Sequence, residues 1–420
     1  TGAAAQPAPQ ATASAAASGR RWLEGAQNRD GGWGSSRGAS SNPLMTGWAM
    51  LGLAAAGRNP QDVRKGGNSP VTYLRRNAKR IRLTGDLERT ILALRAAGVS
   101  PRSFAGRDLV TTLRKRRSAN GSWERQIGLT SFGILALRAA GIDKGVLQKS
   151  ASWLRQQQRD SGGWSSAPGL PAEIDVTGAA LQALASAGGS GTAIDRGVAF
   201  LRRHQKRSGG WGLRPDGSAN SQSTAWAAQG LIAAGLSPSS VRRAGGSSAM
   251  GYLAGRQASD GHYKFSSADR TPVWVTGQVL PAVTGRKYPI APPRRRANGG
   301  SSSSSGGSSS GGGSAAGGGT ASAETGTLAG KKGAASGGSS KGEKDAKESS
   351  SAETADQPPA PKDRSKLSDR LGGGAANNPT AAGRTAASSG VGTWLLVLGG
   401  LAVVGFLGGW ELRRRRRRAA

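Results

Sequence analysis

Residues 27–34 read QNRDGGWG. Close variants return at 117–123 (RSANGSW), 158–164 (QRDSGGW), 205–211 (QKRSGGW) and 257–263 (QASDGHY). The common pattern is Gln, three residues, Gly, one residue and an aromatic. Glycine admits a tight turn there, and the ring anchors that turn in an apolar layer. Recurrence of this kind marks stacked supersecondary units. The segment before each turn reads as an amphipathic outer helix, Arg-rich on one face. It carries one large apolar residue, such as Trp22, Tyr73, Trp153, Phe200 or Tyr252. The segment after each turn is small and apolar nearly all round, as a helix buried on both sides should be. It ends on Gly: LGLAAAG (51–57), LALRAAG (92–98 and 135–141), LQALASAG (181–188), QGLIAAG (229–235). A terminal Gly supplies a left-handed C-cap, and Asp108, Asp143 and Asp195 stand where outer helices need N-caps. The helix–turn–helix unit recurs six times between Gly19 and Pro289. Six hairpins can close into a double ring.

Gln27/Gly31/Trp33, Gln158/Gly162/Trp164 and Gln205/Gly209/Trp211 fulfil Q-x3-G-x-W. Arg117/Gly121/Trp123 and Gln257/Gly261/Tyr263 match two of its three positions, and the second repeat lacks it. This set of motifs resembles the QW repeats of the prenyltransferase and squalene-cyclase superfamily, the terpene cyclases and mutases. The resemblance extends over residues 19–290. It implies an all-α (α/α)6 toroid of six helical hairpins, with each motif ring stacked on its Gln and a cavity enclosed by the inner helices.

The N-terminal turns of the inner helices are where a site would lie. Aligned on their final Gly, and the last repeat on its Thr-Gly, the repeats superpose Thr46, Thr130, Thr177, Thr224 and Thr276. A Thr so near a helix start caps well; Thr130 is also a candidate to touch a ligand. Two residues earlier stand Leu44, Gly128, Asp175, Gln222 and Trp274, a column varied enough to select one. Terpene cyclases open an inner helix with a DxDD-T-A motif, whose middle Asp protonates an alkene. Asp175 matches that Asp in Glu173-Ile174-Asp175-Val176-Thr177-Gly178, Glu173 partly replaces the first, and Val176 replaces the last. The resemblance thus makes Asp175 a candidate general acid in a motif that is broken. Of the eleven Trp, four lie in turns; Trp48, Trp226 and Trp274 remain for the inner helices, with Phe132. Glu88 is a charged residue on an inner helix, to pair with Arg89 or Arg95 or to face the cavity.

Other chemistry is poorly supplied. There is no Cys, so the Asp/Cys/His zinc site of protein prenyltransferases is missing and no metal site is expected. His204 and His262 are the two histidines; both fall at turns and read as surface residues, which argues against a Ser/His/Asp set. No Gly-rich phosphate loop is present and no cofactor is evident. Three readings follow. One is a non-catalytic ring that binds an apolar or amphipathic small molecule, an isoprenoid or a corrinoid, since cobalamin carriers share such a toroid. Another is a terpene cyclase/mutase or prenyltransferase-type enzyme with Asp175 as its acid. The third is a basic envelope-interaction protein.

The ends of the chain set an expected topology. Thr1 is followed by an Ala-rich segment, and residues 1–18 read as the disordered start of a mature exported protein whose signal peptide is gone. Residues 291–390 are mostly Gly, Ser, Ala, Thr, Lys and Glu and cannot offset their backbone entropy by burial. They read as a flexible linker with an r.m.s. reach of about 50 Å. Residues 391–410 (VGTWLLVLGGLAVVGFLGGW) carry no charge and match a hydrocarbon core in length. Trp394 and Trp410 mark its ends, and Arg413 to Arg418 follow. The positive-inside rule then puts the tail, 411–420, in the cytoplasm and the toroid outside. The net charge of +34 suits an anionic envelope polymer, bound in a salt-sensitive way. No nucleic-acid motif accompanies it.

Overall fold

The computed structural model describes residues 9–296 with the exception of Ser190. Those residues form twelve α-helices with short 3-10 turns and, among the described residues, no strand beyond isolated bridges. The outer helices are α1 (Pro9–Gly25), α3 (Pro70–Arg76), α5 (Leu109–Lys115), α7 (Gln148–Gln156), α9 (Thr192–His204) and α11 (Ala249–Ala254). The inner helices are α2 (Pro43–Ala55), α4 (Thr84–Ala96), α6 (Ile127–Ala139), α8 (Ile174–Ser186), α10 (Ser221–Ala233) and α12 (Pro272–Val283). Each inner helix packs on the next, and α12 packs on α2, so the inner six form a closed ring. Outer helices lie against the inner ones and bury their large apolar residue: Trp22, Tyr73, Trp153, Phe200 and Tyr252 are all buried. This is the all-α toroid expected.

The repeated turn works as a set of hydrogen bonds. Trp164 is fully buried, and its indole N–H donates to Leu154 O of the outer helix at 2.7 Å. Its backbone N–H donates to Thr177 Oγ1, which donates in turn to Glu173 O. Gln158 Nε2 donates to Gly162 O across the turn and to Ala193 O in the next outer helix. The bonds recur around Trp33 and Trp211, each with its Gln and Thr, except that Gln27 and Gln205 reach Val63 O and Val241 O in the segments ahead of the next outer helix. In the second repeat, which lacks the motif, Arg107 Nη1 spans the same kind of gap by donating to Ala78 O and Ile81 O.

Two boundaries differ from the sequence reading. Helix α1 begins at Pro9, inside the segment expected to be disordered. Its run of Ala favours helix, and the last repeat holds it: Gln257 Nε2 donates to Ala15 O at 2.7 Å, and Trp22 Nε1 donates to Asp260 Oδ2 at 2.8 Å. The other end also stays on the ring past residue 290. Asn59 Nδ2 donates to Pro293 O, Arg296 N donates to Asp62 Oδ2, and Arg295 pairs with Asp62. Of the three expected caps, Asp108 caps α5 through Thr111 N, Asp143 accepts from Gly145 N in a 3-10 turn before α7, and Asp195 lies inside the first turn of α9. Among the described residues no helix is long and apolar enough to cross a membrane. The expected linker beyond Arg296, the span 391–410 and the basic tail lie outside the described residues.

Candidate functional site

Trp48, Phe132 and Trp226 define the inside of the ring. They occupy the same register, two residues after the Thr column, on α2, α6 and α10, which are not neighbours. Their rings nevertheless meet, with centroids 5.6–6.1 Å apart and planes at 74–84°. Helices that alternate around a ring can meet only across its centre, so this register faces the axis. Tyr288 joins them from below, 6.4 Å from Trp48 and 5.8 Å from Trp226. It belongs to the segment after α12, and Gln182 Oε1 fixes it by accepting from Tyr288 N at 2.8 Å. Lys287 Nζ reaches Ala233 O at the end of α10. The C-terminal ends of the inner helices are therefore covered by this segment, which leaves their N-terminal ends as the side where a mouth would lie.

One turn nearer the mouth, residues share the axial face with the aromatic register. These are Leu44, Gly85, Gly128, Asp175, Gln222 and Trp274. Asp175 is 3 % exposed. Ser223 on the neighbouring helix α10 hydrogen-bonds to its carboxyl, but Oδ1 has no partner. Burial raises its pKa to about 7 against the bond from Ser223, and the nearby Glu173 adds to the rise. Glu173, the N-cap residue of α8, is also buried with Oε2 unpartnered. Burial raises its pKa too, opposed by Arg214 and by bonds from Ser166. Gln222 is half-buried and donates from Nε2 to Gln278 Oε1 at 2.8 Å. Trp274 is 6 % exposed, and its Nε1 has no acceptor.

Asp175, Glu173, Gln222, Trp274, Trp48, Phe132 and Trp226 are thus gathered at one mouth and its floor. Two predicted residues are not. The Thr130 hydroxyl accepts from Trp123 N and donates to Gln126 O, which uses it up as a link between turn and helix. Glu88 stands at the register where α2, α8 and α12 have Gly47, Gly178 and Gly277, each pressed against the following helix. That places it at the seam between α4 and α6. It pairs with neither Arg89, which binds Asp86, nor Arg95, which donates to Ala139 O. Burial raises the Glu88 pKa strongly, with Glu124 adding and Arg89 and Arg116 opposing.

Sequence reasoning missed Gln278, Ser223 and Tyr288. The first follows Trp274 by four residues, a spacing that puts both on one helical face. His262 is also not the surface residue expected. It is buried beneath Trp22, with its Nδ1 bonded to Asp260 and its Nε2 2.9 Å from Asp269, too poorly aligned for a hydrogen bond. Among the described residues no cluster of His, Asp and Glu could hold a metal.

No family model and no curated protein sequence matches the chain. Solved structures with a similar path include a type II terpene cyclase from Scytonema in complex with geranylgeranyl dihydroxybenzoate. It is 15% identical at a TM-score of 0.47, over 65% of this chain and 97% of that one. An ent-copalyl diphosphate synthase from Streptomyces platensis is 18% identical at a TM-score of 0.39, over 59% of this chain and 52% of that one. A protein described as a glycosidase is 12% identical at a TM-score of 0.45, over 67% and 98%. At these scores the likeness bears on neither family nor activity.

Proposed function

We propose that the ring is a chamber for a largely apolar molecule of the isoprenoid class, and that Asp175 serves in it as a general acid of the terpene-cyclase type. The observation that carries this is a carboxyl buried at the mouth, with a pKa near 7 and one oxygen free of protein partners, above an aromatic floor. A neutral carboxylic acid so placed is a proton donor. Its O–H proton passes to an alkene carbon and leaves a carboxylate and a carbocation. The Ser223 hydroxyl stabilises that carboxylate. The faces of Trp48, Phe132 and Trp226 attract the cation. A second alkene closes the ring by giving its π pair to the cation, and a proton lost from carbon restores the acid. The sum is an isomerisation that consumes no co-substrate. The sequence reading of residues 391–410 as a span adds a place for it, outside the cell and at the membrane, where such molecules concentrate.

The test is incubation of the full chain with squalene and with prenyl diphosphates between pH 5 and 8, followed by mass-resolved chromatography. Cyclised isomers that disappear with Asp175→Asn support the reading. Unchanged substrates throughout, or turnover that survives the substitution, overturn the catalytic part.

One observation favours a second reading, binding without turnover. Val176 occupies the place of the last Asp in the cyclase motif, so the partner of Asp175 is a hydroxyl in place of a second carboxyl. Under this second reading the missing carboxyl leaves Asp175 too weak an acid to protonate an alkene. Under this reading an isoprenoid or a corrinoid leaves the protein unaltered, as native mass spectrometry of the full chain would show.

A further inference from the structure

Trp274 and Gln278 lie four residues apart on α12 and present one face to the ring. Both carry a buried hydrogen-bond donor with no acceptor in the protein: Trp274 Nε1 and Gln278 Nε2. The Gln278 amide is oriented by its neighbour, because its Oε1 already accepts from Gln222 Nε2. The Nε2 end is therefore the end left over. Trp48 Nε1 and Trp226 Nε1 also lack acceptors, but both indoles meet aromatic rings edge-on, where an N–H can be directed at a π face. Trp274 belongs to none of the ring pairs among the described residues.

We infer that the ligand of the ring carries a neutral acceptor oxygen, a ketone, ester or quinone carbonyl, and that Trp274 Nε1 and Gln278 Nε2 hold it. A carbonyl offers two lone pairs to two donors. A hydrocarbon over the same wall would bury both donors unsatisfied, which is costly. An anionic head group fits less well. Glu173 and Asp175 stand at the same mouth, and the guanidinium in the aromatic register, Arg89, is tied to Asp86 at 2.6 Å. The inference rests on the proposed chamber and narrows its occupant to an oxygenated isoprenoid.

The test compares two probes of equal chain, farnesyl-1,4-benzoquinone and farnesylbenzene, by calorimetric titration of the full chain. The wild type should bind the quinone roughly tenfold more tightly or better. Trp274→Phe, which keeps a ring but deletes the N–H, should bring the ratio below about threefold. Equal affinities in the wild type overturn the inference and leave the chamber standing. A preference that survives both Trp274→Phe and Gln278→Leu overturns the assignment of the donors. Failure of both probes to bind removes the chamber and the inference together. If Trp274→Phe does not fold, the wild-type ratio still decides.

Discussion

Thr130 and Asp175 both stand in the first turn of an inner helix, and their side chains meet opposite conditions. The Thr130 hydroxyl is spent on Trp123 N and Gln126 O. Thr130→Val should leave a buried backbone N–H without an acceptor and cost about 1–3 kcal/mol in denaturant unfolding, with no change in ligand affinity. Asp175 keeps an oxygen free and a pKa of about 7, against 3.8 ordinarily. Between those values the folded protein binds protons more strongly than the unfolded chain. Stability from this group is therefore whole below about pH 4 and falls as pH rises through 7. The loss is on the order of 4 kcal/mol. Asp175→Asn carries no such charge. Thermal melts from pH 4 to 8 should show the variant gaining on the wild type as pH rises. A gap that stays constant would mean Asp175 is solvated in the folded protein. The same sign applies to catalysis, since a proton donor is lost above its pKa: turnover should fall above pH 7.

At the scale of the turn and its helices, nearly everything was legible in the sequence, because one pattern is written five times. Inner and outer helices differ in composition, and their order follows from it. What the pattern left out is the reach of its Gln. The resemblance implied a ring stacked on that Gln; beyond its own turn, Gln158 Nε2 also reaches Ala193 O in the next outer helix, and Gln205 Nε2 reaches Val241 O in the segment leading to one. A contact between repeats leaves no mark within one repeat. The Gly of the motif carries the same hidden demand. Gly209 has φ +88°, and a Cβ there would lie 2.1 Å from Ser248 O in the following repeat. Gly57 has φ +76° with nothing within 4 Å of its Cβ. Gly57→Ala should cost about 1 kcal/mol for the left-handed backbone alone. Gly209→Ala adds an overlap with main chain and should cost about 3 kcal/mol or more. Equal costs in urea unfolding would show that the turn and the next helix are not pressed together.

Across the whole molecule, the site was legible only where the repeat register reached. Asp175, Gln222 and Trp274 emerged from one aligned column, and Trp48, Phe132 and Trp226 from their place on inner helices. Tyr288 did not, because it follows the last repeat and no register assigns it a direction. Closure itself was expected, and α12 on α2 makes its inner half, but the outer closing contact was hidden for the same reason. It is made by α1, an Ala-rich segment with little pattern, against the turn of the final repeat. Closure has a measurable consequence. Gln257 Nε2 donates to Gly261 O and Ala15 O across the seam between the chain's first and last helical pairs. Gln158 Nε2 makes the equivalent pair of bonds inside the chain. In an open solenoid the terminal seam frays and its bonds contribute little. In a closed ring the two seams are equivalent. Gln257→Leu and Gln158→Leu should then destabilise alike, by about 1–3 kcal/mol each, within one cooperative urea transition. A silent Gln257→Leu beside a costly Gln158→Leu would mean that the ring stands open between α1 and α12.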